Sequence, residues 1–331
     1  MGSRCGSAAT KVRPTPSQLN SSRVIIPFHS LRRLIMKVMF AYPDDPIISK
    51  LEGSLWIDTS HTLIDRYRRL VAEMQAKTAK NASADQPRGQ GRGARFKQGE
   101  VGFVALRKLL NRFRGFLGSE EKFWTQLATR LARTFSLSEA EPAIASLALM
   151  AMDPEDLVQV NDVDRTVSKP DYSQSESSAS KAKKLLFLQK CLISLGDLAR
   201  YREQYNEQGG RPPAGHDESR RPNKRGGKAV PRPRDYSKSL GFYQQAKILL
   251  PNEGHPSNQL AILALYDGDH FDAAVNYYRA LCAQQPFPTS RDNLLLSLKK
   301  AREAVNTSAG PVDVMKLRIL ELHAYWHNNP Q

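Results

Sequence analysis

Arg200, Tyr201 and Arg202 follow directly on Gly196-Asp197-Leu198-Ala199. A guanidinium is a planar fork of N–H donors that matches two phosphate oxygens, and a phenol can add a further hydrogen bond. The chemistry on offer is capture of a phosphate rather than bond breaking. The competing reading is a solvated helix face with Tyr201 packed against a neighbour, and local chemistry alone favours that reading. A second concentration of cations lies in residues 206–235, where Arg211, Arg220, Arg221, Lys224, Arg225, Lys228, Arg232 and Arg234 stand among glycines and prolines. Such a run can touch nucleic acid, act in nuclear import, or form an inert basic loop.

Other chemistries find little support. His323 and His327 are four apart on an expected helix, but no zincin glutamate accompanies them. No metal site is expected. Gly89, Gly91, Gly93 and Gly99 sit among arginines and do not make a dinucleotide fingerprint. Neither a phosphate loop ending in Gly-Lys-Ser or Gly-Lys-Thr nor a nucleophile elbow is present. The expectation is a non-enzymatic protein with no cofactor. Cys5, Cys191 and Cys282 are too few and too scattered for a disulfide framework. No apolar run approaches the roughly 20 residues that span a bilayer, so no membrane partner is expected. The chain reads as soluble and intracellular, in nucleus, cytoplasm or both. Its 49 basic and 33 acidic residues leave a net charge of +16, which favours an anionic partner by steering.

The elements that must position these residues are helical. Residues 1–22 read as a disordered tail. Leu31, Leu34, Ile35 and Val38 suggest a short helix over 30–40. A longer one runs over 46–77 through Leu51, Leu55, Trp56, Leu63, Ile64 and Tyr67. Residues 78–99, rich in Gly, Ala, Gln and basic side chains, read as a flexible loop. A helix through Phe103–Leu117 is expected to break at Gly118-Ser119, with Ser119 capping the next helix through Phe123, Trp124, Leu127 and Leu131. Ser138 and Glu141 have capping-box spacing. Asp153-Pro154 can open a short helix, and 161–180 reads as a loop. Leu185, Leu188, Leu192 and Leu195 mark one face of a helix over 181–204. Gly196 lowers its propensity but can allow close helix packing. Residues 206–235 then form a basic disordered insertion.

The sharpest internal signal is a repeat. Tyr243 and Tyr277 are 34 apart, as are Ala246 and Ala280, and Pro251 and Pro286 follow at nearly the same offset. That is the tetratricopeptide period. Residues 258–266 read as the first helix of a hairpin, 267–270 as its turn and 271–285 as its second helix. An earlier hairpin pairs 181–204 with 237–250 across the insertion, and a later pair covers 289–305 and 312–326. The last helix is apolar through Leu317, Leu320 and Leu322. A solenoid ends on a polar cap, so a truncated product or a missing helical continuation is expected.

Four patches carry a family resemblance. They are Leu195-Gly196-Asp197-Leu198-Ala199-Arg200-Tyr201-Arg202, then Pro251 through Ala261 followed by Asp269, then Pro286-Phe287-Pro288, then Asn293-Leu294. Their order and spacing resemble the ever-shorter-telomeres/SMG family over roughly residues 45–326. Leu55-Trp56 with His61, Ile64, Tyr67 and Arg68 is a weaker match. The resemblance implies an all-α fold: a 14-3-3-like helical bundle over 30–204 continuing into TPR-like α-α hairpins, an α-solenoid, over 236–331. It implies an adaptor in nonsense-mediated mRNA decay that binds phosphoserine or phosphothreonine peptides of a phosphorylated RNA helicase. The alternative is a telomerase-associated protein that binds RNA, telomerase RNA or single-stranded DNA. By resemblance, Arg200 and Tyr201 hold the phosphate. The family's second basic contact is a lysine whose place falls on His61, a poorer anion partner when neutral. Arg66 or Arg68 can substitute from the same helix.

Overall fold

The computed structural model describes residues 22–83, 92–150, 178–206, 234–304 and 310–328. The elements are α1 (Ser22–Ala41), α2 (Ile48–Ser54), a π-helical segment (Leu55–His61), α3 (Thr62–Ser83), α4 (Arg92–Thr134), a 3-10 turn (Ser138–Ala140), α5 (Glu141–Met150), α6 (Ser178–Gln204), α7 (Ser237–Leu249), α8 (His255–Tyr266), α9 (His270–Cys282), α10 (Ser290–Ala304) and α11 (Pro311–Asn328). Among the described residues there is no strand, only an isolated bridge between Glu253 and Gln285. The fold is all-α, as expected. The chain divides into two compact units, Met1–Gly115 and Phe116–Gln331.

Several elements differ from the sequence reading. The first helix runs from Ser22, eight residues before the expected start. Helix covers 78–83 and 92–99 of the expected loop, and 84–91 lie outside the described residues. The expected break at Gly118-Ser119 is absent, because α4 continues for 43 residues. A helical glycine costs only about 1 kcal/mol. Leu117, Trp124 and Leu127, almost fully buried around it, outweigh that cost. Ser119 caps nothing; its hydroxyl donates to the Phe116 carbonyl within the helix at 2.8 Å. The short helix expected to open at Asp153-Pro154 lies outside the described residues.

In the first unit, Leu55, Ile64, Val71 and Phe113 are buried, and Tyr67 stacks on Phe113 with centroids 4.9 Å apart. The helix expected over 46–77 is interrupted by the π turn. Arg32 of α1 is buried against it and donates to Thr59 Oγ1 at 3.1 Å and Ser60 Oγ at 3.2 Å.

In the second unit, α6 is buried on all sides from Cys191 to Tyr201, not on one face. Its polar positions are tolerated because they are hydrogen-bonded. Gln189, for example, donates to the carbonyls of Ala246 at 2.8 Å and Leu250 at 3.0 Å. Those carbonyls lie at the C-terminal end of α7, where each also accepts one backbone N–H, from Leu250 and Glu253 respectively.

Helices α7 to α11 each pack on the next in sequence, and α9 also meets α11. The turn between α8 and α9 is a Schellman motif. Asp269 N–H donates to Ala264 O at 2.9 Å and Gly268 N–H to Leu265 O at 3.3 Å, with Gly268 at φ 78°. Asp269 then caps α9 by accepting from Asp272 N–H at 2.9 Å. One repeat is tied to the next where Gly254 N–H donates to Gln285 O at 2.9 Å and Gln285 N–H to Asn252 O at 3.0 Å. The buried Asn258 side chain adds a link, its Oδ1 accepting from Ser290 Oγ at 3.0 Å and Asn293 Nδ2 at 3.2 Å.

Candidate functional site

The site is built on the contact of α6 with α7. A Cβ added to Gly196 would lie 2.3 Å from Tyr243 Cε1. The glycine therefore lets the fully buried Tyr243 ring lie directly on the α6 backbone. This places the Tyr243 hydroxyl to donate to Asp197 Oδ1 at 2.7 Å. Arg200, one turn on, completes the cluster. It donates from Nη2 to Asp197 Oδ1 at 2.8 Å, from Nε to the Tyr243 hydroxyl at 3.3 Å, and from Nη1 to the Tyr266 hydroxyl at 3.2 Å. Gln204 Nε2 donates to the same Tyr266 oxygen at 2.7 Å.

Burial works against the Arg200 charge, but the Asp197 carboxylate and the surrounding tyrosines offset it and raise its pKa. Burial, reinforced by Asp197, likewise pushes the Tyr243 hydroxyl well above its ordinary pKa. The tyrosine stays a donor and the guanidinium stays charged. A guanidinium has five N–H donors, of which three are hydrogen-bonded here. The Arg200 side chain is 10% exposed. Its guanidinium also lies over the buried Tyr201 ring, 4.9 Å from the centroid.

Arg202 is committed elsewhere. It and Lys238 each hold one oxygen of the buried Glu121 carboxylate. Burial alone would raise that carboxyl's pKa, but the two cations hold it below the usual range. This bridge ties α4, α6 and α7.

His61, Arg66 and Arg68 belong to the first unit. The π turn spaces Trp56 and His61 five apart on one side of the helix, with ring centroids at 6.1 Å. Seven residues on, Arg68 shares the His61 face of α3, whereas Arg66 lies well around the helix. All three are partly exposed. Of the insertion, Arg220, Arg221, Lys224, Arg225, Lys228 and Arg232 lie outside the described residues. Arg234 is exposed, and Asp235 N–H next to it donates to Glu203 Oε1 at 3.0 Å. His323 Nδ1 is within hydrogen-bond distance of the Tyr278 hydroxyl, at 3.2 Å, while the His327 side chain lies outside the described residues. Among the described residues no group of three or more His, Cys, Asp or Glu could hold a metal ion.

Sequence reasoning named Arg200 and Tyr201 but missed Tyr243, Tyr266 and Asp197 as hydrogen-bond partners of Arg200, Gln204 as a second donor to Tyr266, and Glu121 as the anchor of Arg202. Asp197 carried a local signal, three residues before Arg200 in the same motif, and Tyr243 carried its 34-residue spacing from Tyr277.

Two stretches of the chain match known families. Residues 50–206 match the family described as telomerase activating protein Est1, and residues 239–318 match the Est1 DNA/RNA binding domain. The chain belongs to the Est1 family. Nonsense-mediated mRNA decay factor SMG7 of Arabidopsis thaliana is 36% identical over 126 residues, 38% of this chain and 10% of that protein. Telomerase-binding protein EST1A of Danio rerio is 31% identical over 118 residues, 36% of this chain and 6% of that protein. SMG7 of Danio rerio is 33% identical over 131 residues, 39% and 8% respectively. The match thus spans a tenth or less of these relatives' length. Among solved structures, one of Est1 and Cdc13 aligns with TM-score 0.45 at 14% identity, covering 95% of this chain and 55% of that one. The C. elegans SMG5–SMG7 complex aligns with TM-score 0.41 at 16% identity, covering 91% and 57%. Among the described residues, no helix of this Est1-family chain is long and apolar enough to cross a membrane.

Proposed function

We propose that this chain is a non-catalytic adaptor of nonsense-mediated mRNA decay that captures a phosphoserine or phosphothreonine segment of a phosphorylated RNA helicase, with Arg200 as the principal contact. The supporting observation is the fixed guanidinium. Three hydrogen bonds orient its fork of N–H donors. A pre-oriented fork loses little conformational entropy when it meets a phosphate. Because Asp197 balances the Arg200 charge, affinity comes from the direction of those donors and from the chain's cationic surplus more than from a naked charge. Tyr201 supports the guanidinium from beneath. Within the first unit, His61, Arg66 and Arg68 are candidate anion contacts in their own right.

The test is titration with paired peptides that differ only in serine phosphorylation. The proposal expects a preference for the phosphopeptide of about tenfold or more, from charge-assisted hydrogen bonds. Arg200→Glu removes it. Equal affinity for both peptides in the well-folded wild type overturns the proposal.

A second reading rests on a different observation, the net charge of +16 together with the match of residues 239–318 to the Est1 DNA/RNA binding domain. It expects RNA or single-stranded DNA binding that weakens steeply with salt. In this reading Arg220, Arg221, Lys224, Arg225, Lys228, Arg232 and Arg234 contact the backbone. Nucleic-acid binding that survives deletion of the insertion would exclude them from that role.

A further inference from the structure

Val312, Met315, Ile319, Leu322 and Trp326 recur along α11 at intervals of three and four. Each is between 38% and 59% exposed. At 100° per residue they form one stripe, on the side opposite Leu317, Leu320 and Ala324, which pack into the core beneath. Helix α11 is therefore apolar on two faces, and among the described residues only one of them is covered. The adjacent helix α10 exposes Leu295 and Leu296 as well. Isolated exposed apolar residues are ordinary, but a continuous stripe of this kind marks an interaction surface.

The spacing and the flanks say what fits. Alternation of three and four is the seam of a left-handed helix pair, with large side chains as knobs. Lys316 and His323 lie along one border of the stripe, and Arg318 and Tyr325 along the other. The acidic residues of α11, Asp313 and Glu321, lie away from the stripe. Lys316 is 4.0 Å from Asp269, and Arg318 donates to Glu321 at 2.6 Å; both are partly exposed pairs, which hold weakly. A second copy of α11 would bring the same cations against each other. A helix with acidic flanks would meet the opposite charge on both borders.

One residue of the stripe is already ordered for contact. The Trp326 indole meets the His323 ring edge-on, with centroids 5.2 Å apart, and His323 is in turn held at the Tyr278 hydroxyl. An exposed tryptophan whose position is fixed before binding loses less rotamer freedom on contact. Tryptophan is also the residue most typical of binding hot spots.

We propose that the outer face of α11 docks an amphipathic helix of a partner protein whose apolar stripe is flanked by Asp and Glu. The test uses the full chain and two synthetic helices about three heptads long, identical in their leucine seam but carrying Glu or Lys at the flanking positions. Tryptophan emission reports the contact, and Trp326→Phe identifies the source of the signal. The proposal expects a blue shift with the Glu helix, affinity about tenfold or more above that of the Lys helix, and weakening with salt. Met315→Glu and Leu322→Glu, both at exposed positions, abolish binding without altering thermal unfolding. Equal binding of the two helices overturns the proposal, and so does no binding by folded protein. Self-association of the chain that excludes the Glu helix would make a second copy the occupant and overturns it too.

Discussion

Replacing Gly196 with alanine sets two physical effects against each other. In an unencumbered helix, Gly→Ala stabilises by about 1 kcal/mol through propensity and chain entropy. At Gly196 the new methyl would sit 2.3, 2.6 and 2.8 Å from three atoms of the Tyr243 ring. All three distances are too short for any carbon pair, so the ring must move. Tyr243 is completely buried, and its hydroxyl is held by Asp197 and Arg200. Moving it adds packing strain of about 1–3 kcal/mol and loosens hydrogen bonds of the buried cluster, at about 1–3 kcal/mol. After subtracting the helix-propensity gain, Gly196→Ala destabilises by about 3 kcal/mol. Gly115→Ala is the control, since a methyl there meets nothing within 4 Å. It should stabilise by up to about 1 kcal/mol. Urea unfolding followed by circular dichroism gives both values. In a double-mutant cycle with Tyr243→Leu, the Gly196→Ala cost should shrink, because the ring it strikes is gone. A neutral or stabilising Gly196→Ala would refute the close α6–α7 packing on which the Arg200 site depends.

Glu121 gives a pH signature. Lys238 and Arg202 hold its folded pKa below its unfolded value of about 4.3, so its stabilising effect is full above that pH and is lost as pH falls through the folded pKa. Acid unfolding of Glu121→Gln should therefore show a shallower dependence on pH below about 4.3. His255 acts in a higher window. Burial, partly offset by Asp197, lowers its folded pKa beneath the ordinary value of about 6.5. Its contribution is present above about 6.5 and is lost as pH falls from there through the folded pKa, so His255→Asn should flatten stability measured between about pH 7 and 5. Ser136, two residues past the end of α4, has φ 48° and sits in a Schellman turn closed by Leu137 N–H to Ala132 O at 3.0 Å. Ser136→Gly should raise the urea midpoint, gaining about 0.5–1 kcal/mol, because glycine adopts that conformation without strain.

The repeat was legible because its signals are local. The 34-residue spacing of Tyr243 and Tyr277 and the turn at 267–270 can be read directly along the chain. Apolar periodicity also located α6. It could not reveal burial on every side, because Gln189, Ser194, Asp197 and Arg200 interrupt the apolar pattern. At least three of these polar groups are tolerated through partners distant in sequence: Gln189 reaches α7, Arg200 reaches Tyr243 and Tyr266, and Asp197 accepts from Tyr243. The same distance hid most of the site. Arg200 is 43 residues from Tyr243 and 66 from Tyr266, and Arg202 is 81 from Glu121. A guanidinium can be suspected from residue type, but its orientation cannot. Gly118 misled for the opposite reason, as a local helix-breaking signal overridden by Leu117 and Trp124 packing on either side. The π turn at Leu55–His61 had no sequence signature, yet it sets which residues share a face with His61.

The central claim is that Arg200 reads phosphate, and the most direct measurement separates that role from its place in the fold. Asp197→Asn combined with Arg200→Gln removes the cation without leaving a buried carboxylate unpaired. Affinities for the phosphorylated and unphosphorylated peptides are then compared by calorimetry in wild type and in this charge-balanced variant, after thermal unfolding shows both to be folded. The account predicts a phosphate preference of about tenfold or more in the wild type and none in the variant. The same preference in both proteins would contradict it, leaving Arg200 as a structural clamp of α6, α7 and α8.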